Sequence, residues 1–546
     1  MLNARNYARR GTAMGWLIAW LSTVGKNIRP RGAALLTRAA LAGTDGLSKA
    51  GSHPRLSVSS RQNVSLALHR REEGLLAPPS GAVCLRILAP FVANKRHPRP
   101  SQRQPVSPFP TTRREDTLAA SEPKPDSEQA MRAAQAPAAA PRELPANLAE
   151  LWNLAPGITY LNHGSFGLTP TPVLEAQARL RRELTDDPVD FLCRRYQPYL
   201  NAALAKLGGF VGTSPSNLVF VDNATTGMNA AAVSLSVSAG DEIIVGDHEY
   251  GAVARLWRQV SQRAGAIVHT PAIPAPIDSA DSLIDALLQP LNSRTRVLVV
   301  SHVTSATAVV FPLDQMVAEA RRRHAQFGGG PLWIVVDGPH ALLQVPLQID
   351  RLDVDCYTAS CHKWLSAPIG SGFLYAHPRV QSRIRPALTS WGTMPADEQE
   401  NFQGEFHWPG TRDPSAWLAV PAAIELFASI GLERFRNQTH ELARYARAHL
   451  IDRLGAEPLV PDSPDWYASM VALALPEPAG AALGTQAAKR RALGWQQQLW
   501  ERAGIEVPLN VWGGRTVLRV SCHLYNRADQ IDRLVDTFAE VLKSHK

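Results

Sequence analysis

Cysteine and lysine are scarce in this sequence, and both shortages are informative. Five cysteines (Cys84, Cys193, Cys356, Cys361 and Cys522) are scattered over 546 residues, with no CxxC pair and no regular spacing. That excludes a disulfide framework and points to a reducing compartment, so a cytoplasmic location is expected and no metal site is read. Long apolar runs are also missing. No segment reaches the roughly 18 apolar residues of a membrane-spanning helix, so no membrane span is expected. The stretch GTAMGWLIAWLSTVG after Arg9 and Arg10 has the length of a signal-peptide core but no clear small-residue cleavage site, which leaves export as the lesser reading. Residues 1–130 hold 20 Lys+Arg against 8 Asp+Glu, while the remainder is mildly acidic despite a formal net charge of +9. The whole-chain charge is therefore no argument for nucleic acid, and no such partner is expected.

What is present falls into unlike parts. Residues 1–145 are rich in Arg, Ser, Pro and Ala and sustain neither a helical nor an alternating period. They are expected to form a disordered basic extension, or to lie upstream of a true start at Met131. From about residue 150, short apolar runs alternate with amphipathic stretches. NLVFV (217–221), EIIVGD (242–247), RVLVVSHV (296–303), LWIVVD (332–337), VDCYTAS (354–360) and GFLYA (372–376) read as strands. VARLWRQVSQRAG and PLDQMVAEARRRHAQFG read as helices, the second opening on Pro312 and closing on Gly328. This alternation predicts a large α/β domain over 146–414 with a mostly parallel sheet. Residues 415–546 read as a smaller, mostly helical α+β domain. In it the strand RTVLRVS precedes a last helix with Ile531, Leu534, Val535, Phe538 and Leu542 on one face.

The shortage of lysine singles out one residue. Residues 131–546 contain Lys206, Lys363, Lys489, Lys543 and Lys546, and otherwise use arginine for positive charge. Lys363 stands in SCHKW between two strand-like runs. A guanidinium stays protonated, whereas a desolvated lysine can lose its proton and form a Schiff base. Asp337 ends the strand before, and ligands of open α/β sheets collect at the carboxyl ends of strands. Alone, Asp337 would be a turn or cap residue. A carboxylate and an amine on either side of one strand are the arrangement expected where pyridoxal 5′-phosphate (PLP) lies between them. The carboxylate keeps the pyridine nitrogen protonated, and the lysine holds the aldehyde and moves the Cα proton. The glycine-rich pieces GGGP and PIGSG fit neither GxGxxG nor a P-loop and read as turns.

The stretch VVDGPHALLQVPLQIDRLDVDCYTASCHKWLSAPIGSGFLY resembles the PLP signature of the class V aminotransferases, the cysteine desulfurase-like group of fold type I. It is most similar to the isopenicillin N epimerase-like subgroup. YLNHGSFG (160–167), DNATTGMN (222–229), HEYGAV (248–253), SHVTSAT (301–307), FHWPGTRDPSAW (406–417) and LRVSCHLYN (518–526) recur in the family's order. The resemblance implies a seven-stranded, mostly parallel sheet sandwiched by helices, PLP as cofactor, a small amino-acid-derived substrate and a homodimer. It places Thr225 and Thr226 at a helix N-terminus that favours the PLP phosphate, with Ser360 and His362 as further phosphate ligands. Thr411 corresponds to the residue that reaches the neighbouring subunit's phosphate site. Tyr250 would stack on the pyridine ring, His340 would bond its 3′-oxygen, and Thr304 or Ser305 stands where the family has an Asn. Arg519 would clamp the substrate carboxylate through a bidentate fork, beside Asn162 and His163. Each alone has a plainer reading: a half-buried tyrosine, an ordinary N-cap, a sheet-surface charge.

Fold and cofactor do not name the reaction. A desulfurase of this family needs a thiol on a loop some tens of residues before the carboxylate-binding arginine, and residues 362–521 contain no cysteine. Epimerisation at Cα and elimination with C–S cleavage are the readings carried forward, with transamination and cysteine desulfuration as alternatives. A PLP-fold transcription regulator with a basic head would need a helix-turn-helix pattern that residues 1–130 do not show. A catalytically silent scaffold is disfavoured because Asp337, Lys363 and Arg519 are all present.

Overall fold

The computed structural model describes residues 147–392, 402–476 and 485–544. The extension expected over 1–145, and with it any regulator-like head, lies outside the described residues. All six strand readings fall in one sheet of seven: β1 (Leu218–Val221), β2 (Glu242–Val245), β3 (Ile267–His269), β4 (Thr295–Ser301), β5 (Trp333–Asp337), β6 (Cys356–Ser360) and β7 (Gly372–Ala376). Their order is β1-β7-β6-β5-β4-β2-β3. The run from β6 to β3 is parallel, and β7 lies antiparallel to both of its neighbours.

The strands are apolar without alternation because both faces are covered. Val297, Val299 and Val335 turn to one face, and Leu298, Val300, Ile334 and Val336 to the other. The first face is covered by helices α1 (Ala224–Ser234) and α2 (Gly251–Ala264), which bury Met228 and Trp257 there. Helix α3 (Leu313–Gln326), opening directly after Pro312, packs Met316, Val317 and Ala320 on the other. At 25 cal/mol per Å², each such large side chain contributes about 1.5–3 kcal/mol when fully buried. β3 escaped the sequence reading because it is an edge strand, with Ile267 exposed and its neighbours half-buried.

Beyond residue 415 the structure holds more sheet than expected. Strands β8 (Glu457–Pro458), β9 (Met470–Ala474), β10 (Leu509–Trp512) and β11 (Arg515–Ser521) form an antiparallel sheet in the order β10-β11-β9-β8. The last helix, α4 (Ala528–Lys543), buries Ile531, Leu534, Val535, Phe538 and Val541; Val541 takes the place expected of Leu542, which is only partly buried. Thr159–Tyr160 pairs in parallel with Ile505–Glu506, which leads the segment that follows across to the end of β6. There Gly167 lies so close to the carbonyls of His362 and Lys363 that a Cβ would overlap them.

A similar close approach fixes α1 against β6, where a Cβ on Gly227 would overlap Thr358 Oγ1. Thr358 is buried and donates from Oγ1 to the Phe373 carbonyl at 3.0 Å, so it cannot retreat. Gly227→Ala is expected to lower stability by about 1–3 kcal/mol in urea melts followed by far-UV circular dichroism. Gly209→Ala, at a helical glycine with open space around it, is expected to leave the midpoint unchanged or raise it.

Candidate active site

Because β5 and β6 are parallel neighbours, their carboxyl ends open on the same edge of the sheet. Asp337 ends β5 and Ser360 ends β6, with Lys363 in the turn that follows. Lys363 Nζ lies 3.3 Å from His340 Nε2 and 5.9 Å from the centre of the Tyr250 ring. Burial pushes the Lys363 amine below its ordinary range; Asp337 opposes that shift and Arg519 adds to it. Burial raises Asp337, and the lysine charge offsets part of the rise. Among the described residues no hydrogen bond reaches the Asp337 carboxylate, although it is buried.

His340 is buried, and desolvation, with the Lys363 and Arg519 charges, holds its imidazole well below the usual range and hence neutral. Its Nδ1 accepts from Trp364 Nε1 at 3.3 Å. An indole N–H can only donate, so the His340 proton sits on Nε2. That N–H faces Lys363 Nζ and makes a hydrogen bond with it only when the amine is uncharged.

At the other side lies the start of α1. Asn223 caps it, Oδ1 accepting from Thr226 N at 2.9 Å and Thr226 Oγ1 at 3.2 Å. Ser360 Oγ accepts from Ala224 N at 3.0 Å. Thr225 is exposed, and among the described residues no hydrogen bond reaches its N–H or hydroxyl. An open N–H at the positive end of a helix dipole attracts an anion. His362 Nδ1 is bonded to the Ser371 carbonyl at 2.9 Å. Thr411 is exposed, and the next residue, Arg412, ion-pairs with Asp222 just ahead of α1. Thr226 and Ser360 are thus tied to the helix start, and Thr225 is left open.

Arg519, on β11, is 3% exposed. Nη1 donates to the Ser305 carbonyl at 2.7 Å, and Nη2 to Asn162 Oδ1 at 3.2 Å and Ser165 Oγ at 2.8 Å. All three acceptors are neutral, and Nε has no partner among the described residues. Burial lowers Arg519 to about 10, which still leaves it charged at neutral pH. A buried cation with no carboxylate beside it is costly, and an incoming carboxylate would offset that cost.

Two expected site residues are engaged by other groups of the protein. His163 does not face the open side of Arg519. It is fully buried, with Nδ1 2.9 Å from the Tyr525 hydroxyl and Nε2 3.0 Å from the Lys363 carbonyl, and it stacks on His523 with ring centres 4.1 Å apart. Thr304 is also fully buried, its hydroxyl bonded within its own turn, so only Ser305 of that pair meets Arg519, through its carbonyl. The sequence reading missed Ser165, although it lies inside the YLNHGSFG motif. It also missed Glu249, which accepts from Ser301 N at 2.5 Å and Ser301 Oγ at 2.8 Å beside Tyr250.

An aldehyde adds to the uncharged amine, so the rate at which apoprotein takes up PLP is expected to rise with pH and level off below the pH at which an exposed lysine deprotonates. Asp337→Asn removes a charge that keeps the proton on Lys363 and moves the profile to lower pH. Arg519→Gln removes one that drives the proton off and moves it to higher pH. Stopped-flow absorbance of the bound cofactor reads both directions.

The family model Aminotransferase class-V matches residues 193–534. Isopenicillin N epimerase of Amycolatopsis lactamdurans is 36% identical over 411 residues, covering 73% of this chain and 98% of that protein. Putative L-cysteine desulfhydrase 1 of Oryza sativa subsp. japonica is 32% identical over 342 residues, covering 59% and 67%. Among solved structures, a C-DES mutant with glycine covalently linked to its PLP cofactor shares the fold at a TM-score of 0.59 and 24% identity, covering 70% of this chain and 97% of that one. The residues here fit such a cofactor: a buried carboxylate without a donor, an open helix N-terminus, an exposed tyrosine ring and a desolvated lysine converge on one edge of the sheet. This chain belongs to the class V aminotransferase family and is a PLP-dependent enzyme of fold type I.

Proposed function

We propose that this enzyme exchanges the Cα proton of an α-amino acid, as an epimerase of the kind named among its relatives, with Lys363 moving the proton. The observation that carries this reading is Arg519, a buried guanidinium held by neutral oxygens, with Nε unpartnered among the described residues. Its planar fork suits a carboxylate in a way no ammonium would. PLP, when bound, supplies the electron sink that makes the Cα proton acidic. In this reading Asp337 holds the pyridine nitrogen, Tyr250 covers one ring face and the neutral His340 donates toward the ring oxygen. Thr225, Thr226, Ser360 and His362 surround the phosphate, and Asn162 and Ser165 orient Arg519. The exposed Thr411 reaches the phosphate site of a second copy in a homodimer. A cytoplasmic location is supported by four unpaired cysteines among the described residues. No single helix among those residues is long and apolar enough to cross a membrane.

The second reading is C–S elimination, favoured by a specific observation. The site holds one desolvated amine, Lys363, and a His340 kept neutral, and elimination needs only one group that moves protons. Persulfide-forming desulfuration is not favoured, because Cys356, Cys361 and Cys522 are buried and burial pushes their thiols far up.

Holoenzyme in D2O with a panel of L-amino acids, L-cysteine and cystine distinguishes the two. Deuterium entering Cα without pyruvate or sulfide selects epimerisation, and pyruvate release selects elimination. Lys363→Ala is expected to abolish the visible cofactor band in a folded chain and to slow either reaction by about 10²–10⁴-fold. A colourless wild-type protein that takes up no added PLP would sink the assignment of the site.

A further inference from the structure

Beyond β4 the chain makes a tight turn closed by Thr304 N to the Val309 carbonyl at 2.9 Å and Ala308 N to the Thr304 carbonyl at 3.2 Å. Val303 and Val310 bridge its base. Ala308 adopts φ 56°, the left-handed region that a residue with a Cβ occupies only when its surroundings impose it. A buried chain of hydrogen bonds imposes it here. Thr304 Oγ1 accepts from Val309 N at 2.8 Å and meets Thr307 Oγ1 at 2.7 Å, and Thr307 Oγ1 lies 2.6 Å from His248 Nδ1. Thr304, Thr307 and His248 are all buried.

His248 has no freedom to swing away. Its ring packs on Trp512 with centres 4.3 Å apart and edge-on to Phe311 at 5.7 Å. Burial lowers its pKa to about 3, so it stays neutral at physiological pH. The turn's other residue of interest, Ser305, gives its carbonyl to Arg519 Nη1.

We propose that His248 is a positioning residue for Arg519: through Thr307 and Thr304 it holds the strained turn so that the Ser305 carbonyl orients the guanidinium for a carboxylate. This rests on the reading of Arg519 as the substrate's carboxylate-binding group. His248 touches neither substrate nor cofactor in that scheme. Without the Thr307 hydroxyl, Ala308 relaxes, the Ser305 carbonyl moves and Nη1 of Arg519 loses its acceptor, while Nη2 keeps Asn162 and Ser165.

The test uses holoenzyme and two probes that differ in one group: L-cysteine, and cysteamine, which keeps the amine and thiol but lacks the carboxylate. Binding is followed by the change in the cofactor's visible absorbance. Thr307→Val and His248→Phe are expected to weaken L-cysteine about tenfold while cysteamine stays within about twofold, and Thr307→Ser is expected to restore wild-type binding. PLP affinity of the apoproteins is expected to stay within about twofold. Should Thr307→Val fail to fold, His248→Phe, whose ring fills the same space, carries the comparison. The inference is overturned if both probes weaken together, or if neither does. Arg519→Gln separates the two levels: if it fails to erase the preference for L-cysteine over cysteamine, the carboxylate reading itself falls.

Discussion

The removal of the Lys363 amine from water is the constraint around which the site is arranged. Desolvation penalises the ammonium form, and the neighbours settle how far the proton is loosened. Asp337 alone would hold it on, and Arg519 pushes it off. Trp364 fixes the His340 tautomer, which presents an N–H to the amine and so favours its uncharged state. The seal is made of close contacts. Gly167 lies against the carbonyls of the lysine turn, and the His163 ring supports the Lys363 carbonyl from below. An amine in open solvent would have none of these biases.

Asp337 and Arg519 carry the cost of this arrangement in complementary ways. Each is a buried charge whose partners are incomplete: among the described residues no donor reaches the Asp337 carboxylate, and only neutral oxygens reach Arg519. A fold selected for stability alone would pair or replace such groups. Their persistence beside one desolvated lysine is the pattern expected where rules of local consistency are broken for chemistry.

The large sheet was legible because its strands are apolar on both faces and separated by helical stretches. β3 was not, being short, half-exposed and at an edge. The second sheet was hidden for a similar reason. Glu457–Pro458 is two residues long, and Leu509–Trp512 is buried at its first residue and only partly after it. Asp337 and Lys363 were legible because a single strand separates them. The contacts of His163 were not, because it lies in a turn opened by Asn162, whose carbonyl accepts from Ser165 N at 2.9 Å, and no periodicity tells which way each residue of a turn points. Asn162 turns to Arg519 and His163 to Lys363 and Tyr525, a choice made by packing between distant parts of the chain. Thr304 and Ser305 were indistinguishable in sequence, since only the closed turn decides which reaches Arg519 and with which atom.

The His163 contacts also bear on when this site comes into being. Its partner Lys363 lies 200 residues along the chain and its partner Tyr525 lies 362 residues along, close to the C-terminal helix. Contacts of such span form only after the entropy of closing very large loops has been met, and they favour slow assembly. On a ribosome the strand that carries Asp337 and the turn that carries Lys363 emerge well before the segment that carries Arg519 and Tyr525. The lysine is therefore synthesised long before the packing that desolvates it can exist, and its reactivity is a property acquired at the end of folding.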